Sequence, residues 1–384
     1  MRAKIPIIMM GETGCGKTAL IKKLSEYLGK EMKILNIHAG ITDKEIVDFC
    51  TKNNLIGNEP KQSTKKISNY EEWIFLDEIN TCNSLGLIKE ILCSRTIQGK
   101  PIRPNVLFIA ACNPYRVITQ KTHEKIGLIK EGQKVSNLVY LVNPLPHSLL
   151  NYIFNFGYLS SEDELKYIEA IIKEPIESTM KGCTDEEINN VKTLAITVIN
   201  ESQQFIRNNY DASSVSLREL RKFIIFYRWF FKLFQDNEQL HFINRDKISD
   251  FGMQAVQCSI YLCYYLRLPY QEQRLEWSSN LEKLFHISFV TMPRLLEKYI
   301  ANQIEIPPGI AKNRAFLENI FTLFVCINNY VPVFVCGKPG CSKSLSFQLL
   351  YNSMKGNSSE NTFFKKFPKL YVTSYQGSST STSK

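Results

Sequence analysis

The 384-residue chain has room for two or three domains at roughly 100–200 residues each. Its 44% hydrophobic and 22% charged residues are the mix of a globular protein with a sizeable core. Lys and Arg outnumber Asp and Glu by 47 to 37, for a net charge of +10, but they form no tract, so a dedicated nucleic-acid face is not expected. The opening MRAKIPIIMM carries too short an apolar run and no cleavage site for a signal peptide. No run approaches the roughly 18 apolar residues of a membrane span. The eleven cysteines lack C-x-x-C pairs and zinc-like Cys/His spacing, which points to a reduced, cytosolic chain.

The first element is an apolar strand, Ile5–Met10. It runs into Gly11-Glu12-Thr13-Gly14-Cys15-Gly16-Lys17-Thr18, which matches G-x-x-x-x-G-K-[ST], the phosphate-binding P-loop. Its glycines let the backbone N–H groups face phosphates, Lys17 supplies a point charge, and the Thr18 hydroxyl suits Mg²⁺. The helix that follows adds its positive end. ATP with Mg²⁺ is therefore the expected ligand pair. A second strand is expected at Lys33–His38, and the polar stretch Asp43–Ser68 reads as a helix followed by a loop. Trp73–Leu76 is a third strand that delivers Asp77 and Glu78 at its end. Sixty residues beyond Lys17, these fit a Walker B pair, with Asp77 in the Mg²⁺ shell and Glu78 orienting the attacking water. Val106–Ala111 is a fourth strand, followed by Cys112-Asn113-Pro114. The Asn113 amide is placed to sense the γ-phosphate. A fifth strand is expected at Leu138–Val142. Short apolar runs bounded by Gly, Asn, Asp or Pro and alternating with helices indicate a buried parallel sheet, hence an α/β nucleotide-binding fold over residues 1–146.

From His147 the pattern turns helical. Ser161–Lys173 opens with an acidic first turn, Thr184–Asn208 with a capping-box pattern, and Ser216–Phe234 is apolar and dotted with Arg. Residues 147–235 read as a helical lid. In it Arg218, and less strongly Arg221, could reach back to the nucleotide. Residues 236–325 read as a helical linker.

Residues 326–384 repeat the opening. VPVFVC leads into Gly337-Lys338-Pro339-Gly340-Cys341-Ser342-Lys343-Ser344, a second P-loop lying 326 residues from the first, Lys17 to Lys343. A helix and a second strand in FPKLYV follow. Gly337, Gly340, Ser342, Lys343 and Ser344 are its candidate nucleotide ligands. Ser342 stands where Gly16 stands in the first copy, and at positive φ its β-carbon would be strained. The sequence ends at GSSTSTSK, one strand past this loop, so the second module is expected to be incomplete within these residues.

GETGCGKT, FLDEIN with SLGLIKEILCSRTIQG, PNVLFIAACNPYR, VSLREL and GKPGCSKS together resemble the AAA+ core of the mysterin family. These are giant RING-finger E3 ubiquitin-protein ligases with a dynein-like row of AAA+ modules. The stretch Phe75–Arg116 is the most specific. The resemblance implies one whole AAA+ module and the start of another, with Lys17, Thr18, Asp77, Glu78 and Asn113 in the family's roles. It implies that ATP binding governs oligomerisation, lipid-droplet association and ligase activity, and that Ser342 is the family's own variant. It also implies that an arginine of the neighbouring module completes the first site. Ubiquitin transfer, with a ubiquitin-conjugating enzyme and substrates, would belong to parts absent from this chain. Two other readings stay open. One is a tandem mechanical ATPase of the dynein or midasin kind. The other is an RNA helicase, which would need a second RecA-like half. A scaffold that binds nucleotide without hydrolysis is disfavoured by Glu78.

Overall fold

The computed structural model describes residues 5–57, 71–115, 142–157, 159–237, 240–242 and 248–376. The chain divides into two compact units, residues 1–164 with 206–217 and residues 165–205 with 218–384.

The first unit is built on the apolar runs. In chain order they form β1 (Ile7–Gly11), α1 (Lys17–Tyr27), β2 (Met32–Asn36), α2 (Asp43–Lys52) and β3 (Glu72–Asp77). Next come α3 (Leu85–Lys89), a π-helical turn (Glu90–Ser94), the small hairpin β4 (Thr96–Ile97) and β5 (Lys100–Pro101), and β6 (Val106–Cys112). A short α4 (His147–Leu150) precedes β7 (Ile153–Gly157). Five strands make one sheet in the order β2-β3-β6-β1-β7, and every pair in it is parallel. Consecutive side chains alternate between its faces. Met9, Trp73, Phe75, Ile109 and Ala111 pack with Ile21 of α1 on one side. Ile8, Ile74, Leu76, Phe108 and Ala110 pack with Ile46 and Cys50 of α2 on the other. Both faces are covered, which is why these strands read as continuous apolar runs. Each fully buried Leu, Ile or Phe contributes about 1.5–3 kcal/mol against leaving it in water. Helix α2 begins as its sequence directs: the Thr42 side chain accepts from the Glu45 N–H, and the Glu45 carboxylate accepts from the Thr42 N–H at 2.8 Å.

Four expected strands match β1, β2, β3 and β6 within a residue or two. The fifth does not. Residues 138–141 of the expected Leu138–Val142 strand lie outside the described residues, as does the loop over 58–68, and Val142 is in no strand. The fifth strand of the sheet is β7, in a stretch assigned to the helical lid, so the sheet reaches past residue 146. β7 is an edge strand with Phe154 and Phe156 exposed. Five residues beside a helix carry too little periodicity to announce themselves.

The second unit is helical. It holds most of α5 (Ser161–Thr179) and α6 (Asp185–Asn209), then α7 (Arg218–Asp236), α8 (Ile248–Cys263), α9 (Gln271–Phe285), α10 (Thr291–Asn302) and α11 (Arg314–Asn328). Leu220, Phe223, Tyr227, Phe230 and Phe234 recur at helical spacing on the buried face of α7. The rings of Phe230 and Phe321 stack 6.1 Å apart, joining α7 to α11. A polar hub lies inside this apolar body. The Tyr261 hydroxyl donates to Glu297 at 2.7 Å. Arg314 pairs with Glu297 at 2.9 Å and with Glu318 at 2.7 Å. Arg274 meets both oxygens of Glu318 at 2.9 and 3.0 Å.

The expected strands of the second copy are not formed. After α11 the segment 331–336 runs without a hydrogen-bonded strand neighbour among the described residues, and Phe334 is 92% exposed. Residues 367–372 make one isolated bridge, Lys355 to Lys369. A strand needs a neighbouring backbone to satisfy its N–H and C=O groups. β1 finds that neighbour on both sides, in β6 and β7, and segment 331–336 has no equivalent of either among the described residues. The helices of this copy do form, as α12 (Lys343–Ser353) and α13 (Thr362–Lys365), because their hydrogen bonds are internal.

Glu297 is fully buried, and that burial pushes its carboxyl up to about 7, partly offset by Arg314 and the hydrogen bond from Tyr261. The folded state thus holds a proton more tightly than the unfolded chain between about pH 4.5 and 7. This group's contribution is full below that window, falls as pH rises through it, and is level above 7. The slope is at most about 1.4 kcal/mol per pH unit. Glu297→Gln is expected to flatten it. Denaturant unfolding of both proteins from pH 5 to 8 checks this, and identical pH profiles would refute it.

Candidate functional site

The carboxyl ends of parallel strands are where such sheets place their ligands. Here β1, β3 and β6 all end at one edge. The register Leu76↔Ala110 and Met10↔Cys112 carries Asp77, Asn113 and the loop after Gly11 past that edge together.

The loop has the shape its glycines permit. Gly14 sits at φ 84° and Gly16 at φ 89°, both left-handed. Gly16 caps α1 with no side-chain bond, leaving the first N–H groups of the helix free to face an anion. The buried Lys17 ammonium donates to the Gly11 carbonyl at 2.6 Å and the Glu12 carbonyl at 3.1 Å, and lies 3.5 Å from the Asn113 side-chain oxygen. The Thr18 hydroxyl donates to Asp77 Oδ2 at 2.8 Å. Four candidates from three separate stretches of the sequence thus meet: Lys17, Thr18, Asp77 and Asn113. Glu78 follows Asp77 at φ 58°, a left-handed conformation uncommon outside glycine. Beside Asn113, burial pushes the Cys112 thiol up to about 12, an effect Lys17 partly opposes, so this cysteine packs and stays protonated.

Beside the loop is a cavity of about 210 Å³. Glu12, Thr13, Gly14 and Cys15 form one side, and Leu159, Val215, Ser216 and Leu217 form much of the rest. The Arg207 guanidinium grips both oxygens of the buried Glu164 on its wall, with Nη2 to Oε1 at 2.6 Å. These residues fit a nucleotide: the loop has room and donors for phosphates, and the Thr18–Asp77 pair is a hard-oxygen set suited to Mg²⁺.

Arg218 and Arg221 lie on α7, in the second unit. The second loop repeats the shape of the first. Gly340 is at φ 84°, Ser342 at φ 56°, and Lys343 donates to the Gly337 and Lys338 carbonyls, both at 2.7 Å. Ser342 therefore does carry the strain expected of it. Asn319 of α11 donates to the Cys341 carbonyl at 2.9 Å and holds this loop.

Sequence reasoning missed Asn80, Asn319 and the Glu164–Arg207 pair. Asn80 stood in view, two residues after Glu78. Its side chain bonds the Asn113 main chain, 33 residues away, and no local pattern names that partner.

Fold and site define an AAA-type P-loop module. Two family models described as RNF213 AAA domain match the chain, at residues 1–116 and residues 309–384. The chain is 31% identical over 98% of its length to E3 ubiquitin-protein ligase rnf213-beta of Danio rerio. It is 29% identical over 99% of its length to E3 ubiquitin-protein ligase RNF213 of Mus musculus, and 31% identical over 99% to that of Homo sapiens. It spans 8% of the length of each of these relatives. These matches bear out the resemblance to the mysterin-type ligases: the chain is RNF213-like over nearly its whole length and carries two segments that match RNF213 AAA domain models.

Gly14 and Gly16 test the loop. A β-carbon on Gly14 would lie 2.6 Å from Ser216 Cβ, whereas one on Gly16 meets nothing within 4 Å. Gly16→Ala should therefore cost only the left-handed backbone penalty, about 1–2 kcal/mol. Gly14→Ala should cost that and roughly 1–3 kcal/mol more for overpacking. Denaturant unfolding of the two variants checks this, and equal losses would mean the Gly14–Ser216 approach is wrong.

Proposed function

We propose that the first module binds and hydrolyses Mg²⁺–ATP as part of a longer E3 ubiquitin-protein ligase. The observation that carries this reading is the meeting of Lys17, Thr18, Asp77 and Asn113 at one sheet edge. When bound, Mg²⁺–ATP supplies the phosphoanhydride to be cleaved and neutralises charge on its oxygens. The chain's residues do the rest, and in phosphoryl transfer that is mostly positioning and electrostatics. The Gly11–Gly16 backbone and Lys17 bind the phosphates. Thr18 and Asp77 would hold the metal. Glu78 orients the attacking water and accepts its proton. Asn113 reports on the γ-phosphate, and Arg218 is assigned the same role from the lid. The cavity beside the loop, with Leu159, Val215 and Leu217 on its wall, would take the nucleoside.

The second loop, Gly337–Ser344, is proposed to bind nucleotide as well. Ubiquitin transfer, with its conjugating enzyme and substrates, is assigned to parts of the ligase outside these residues, and neighbouring AAA modules are the direct partners. No helix among the described residues is long and apolar enough to cross a membrane, and all eleven cysteines are free. Both fit a cytoplasmic protein, and lipid-droplet association is carried over from the family resemblance. Identity across nearly the whole chain to RNF213 ligases favours this reading over a dynein-type motor or a helicase.

Two substitutions in the full-length protein separate binding from turnover. Lys17→Ala should weaken ATP binding by about 100-fold or more, through loss of the phosphate charge. Glu78→Gln should leave the ATP Kd within about 3-fold while lowering kcat by about 100-fold or more. Binding by titration and phosphate release read the two. Hydrolysis unchanged in Glu78→Gln would show the base to be misassigned, and wild-type protein that neither binds nor hydrolyses ATP would end the proposal.

A further inference from the structure

β6 stops at Cys112, whose register partner is Met10. The next residue, Asn113, is the sensor candidate. It is 8% exposed, so its main-chain N–H and C=O need partners beyond the end of the strand. Both find them in one side chain. The Asn80 Nδ2 donates to the Asn113 carbonyl at 2.8 Å, and the Asn113 N–H donates to Asn80 Oδ1 at 3.3 Å. This two-way bond fixes the orientation of the Asn80 amide, because only one assignment puts a donor against the carbonyl and an acceptor against the N–H. Asn80 is itself 2% exposed, and its own carbonyl accepts from the Asn143 N–H at 2.7 Å. It sits on the 3₁₀ turn Ile79–Thr81 that directly follows Glu78. The same turn is held from the other side, where Thr81 Oγ1 donates to the Glu78 carbonyl at 2.9 Å and the Ile37 carbonyl at 3.2 Å.

We propose that Asn80 is a positioning residue for ATP hydrolysis: it locks the Glu78 turn to the Asn113 backbone, so that base and sensor keep a fixed relation. This rests on the hydrolytic reading above. The Asn80 side chain bonds main-chain groups of Asn113. It acts through Asn113, whose side-chain oxygen lies 3.5 Å from Lys17. Few side chains can do the same. Aspartate accepts from the N–H but sets a second acceptor against the carbonyl. Alanine leaves both main-chain groups buried and unpaired. Glutamine places its amide one methylene too far out.

Asn80→Ala and Asn80→Asp in the full-length protein test this. A 1 Å misplacement can cost about 100-fold in rate, so kcat is expected to fall by about 10- to 100-fold. The ATP Kd should stay within about 3-fold, because the loop that binds phosphate is not touched. In an Asn113→Ala background, adding Asn80→Ala should lower kcat by less than about 2-fold, since residues acting as one unit are not additive. Amide exchange at Asn113 should quicken in Asn80→Ala, which removes the acceptor of that N–H, while exchange along β3 stays unchanged.

Three results would overturn the proposal: kcat unchanged in both Asn80 variants, additive losses in the double variant, or ATP affinity and kcat falling together with exchange quickened along β3. The last result means general unfolding, and the isosteric Asn80→Asp guards against it. Wild-type protein that binds ATP without turning it over overturns the hydrolytic reading and this inference together. Normal wild-type turnover with unaffected Asn80 variants overturns this inference alone.

Discussion

The pairing of β1 between β6 and β7 is the constraint on which the first module depends. β1 ends in the P-loop, so whatever holds β1 sets where the loop lies. β6, hydrogen-bonded along one side, ends at Cys112 and leads into Asn113. β3, paired on the far side of β6, ends in Asp77. A sheet with this order cannot form without bringing Lys17, Thr18, Asp77 and Asn113 to a common edge. The two hydrophobic clusters, one on each face, hold the sheet together, and the site at its edge follows from the register.

Much of this was legible because it is periodic or stereotyped. The P-loop octapeptide, the apolar run into Asp77-Glu78 and the run into Asn113 each pair a strand with a chemical ending. Each strand is buried on both faces and therefore reads as an unbroken apolar stretch. β7 escaped for the opposite reason. It is an edge strand of five residues, and its Phe154 and Phe156 side chains are exposed. Asn80 and the Glu164–Arg207 pair escaped because each is defined by a distant partner, 33 and 43 residues away. A sequence pattern records what a residue is next to in the chain. These residues act through what they meet in space.

The two P-loops separate local from non-local determinants within one molecule. Their backbones match, with Gly14 and Gly340 both at φ 84° and each lysine folded onto the first two carbonyls of its loop. Yet the first loop springs from a five-stranded sheet, and the second from a segment with no strand neighbour among the described residues. Loop shape is therefore a property of the octapeptide and the helix it opens. Even Ser342 is held left-handed at φ 56°, against a penalty of about 1–2 kcal/mol. The helix that begins at Lys343 and the Asn319 bond to Cys341, itself worth about 0.5–1.5 kcal/mol, work against that penalty.

Hydrolysis is different in kind. As proposed it would use Asp77, Glu78 and Asn113, and Asp77 and Asn113 meet the first loop because β6 lies beside β1 and β3 beside β6. Octapeptide and helix suffice to build a phosphate cradle. The proposed turnover would require β6 and β3 as well, aligned with β1 to within a residue. That alignment runs through a single buried amide at Asn80, which ties the end of one strand to the turn after another. The first module has the cradle and the neighbouring strands, and the second shows the cradle. The difference between them follows from which hydrogen bonds are internal to a helix and which must be supplied by another strand.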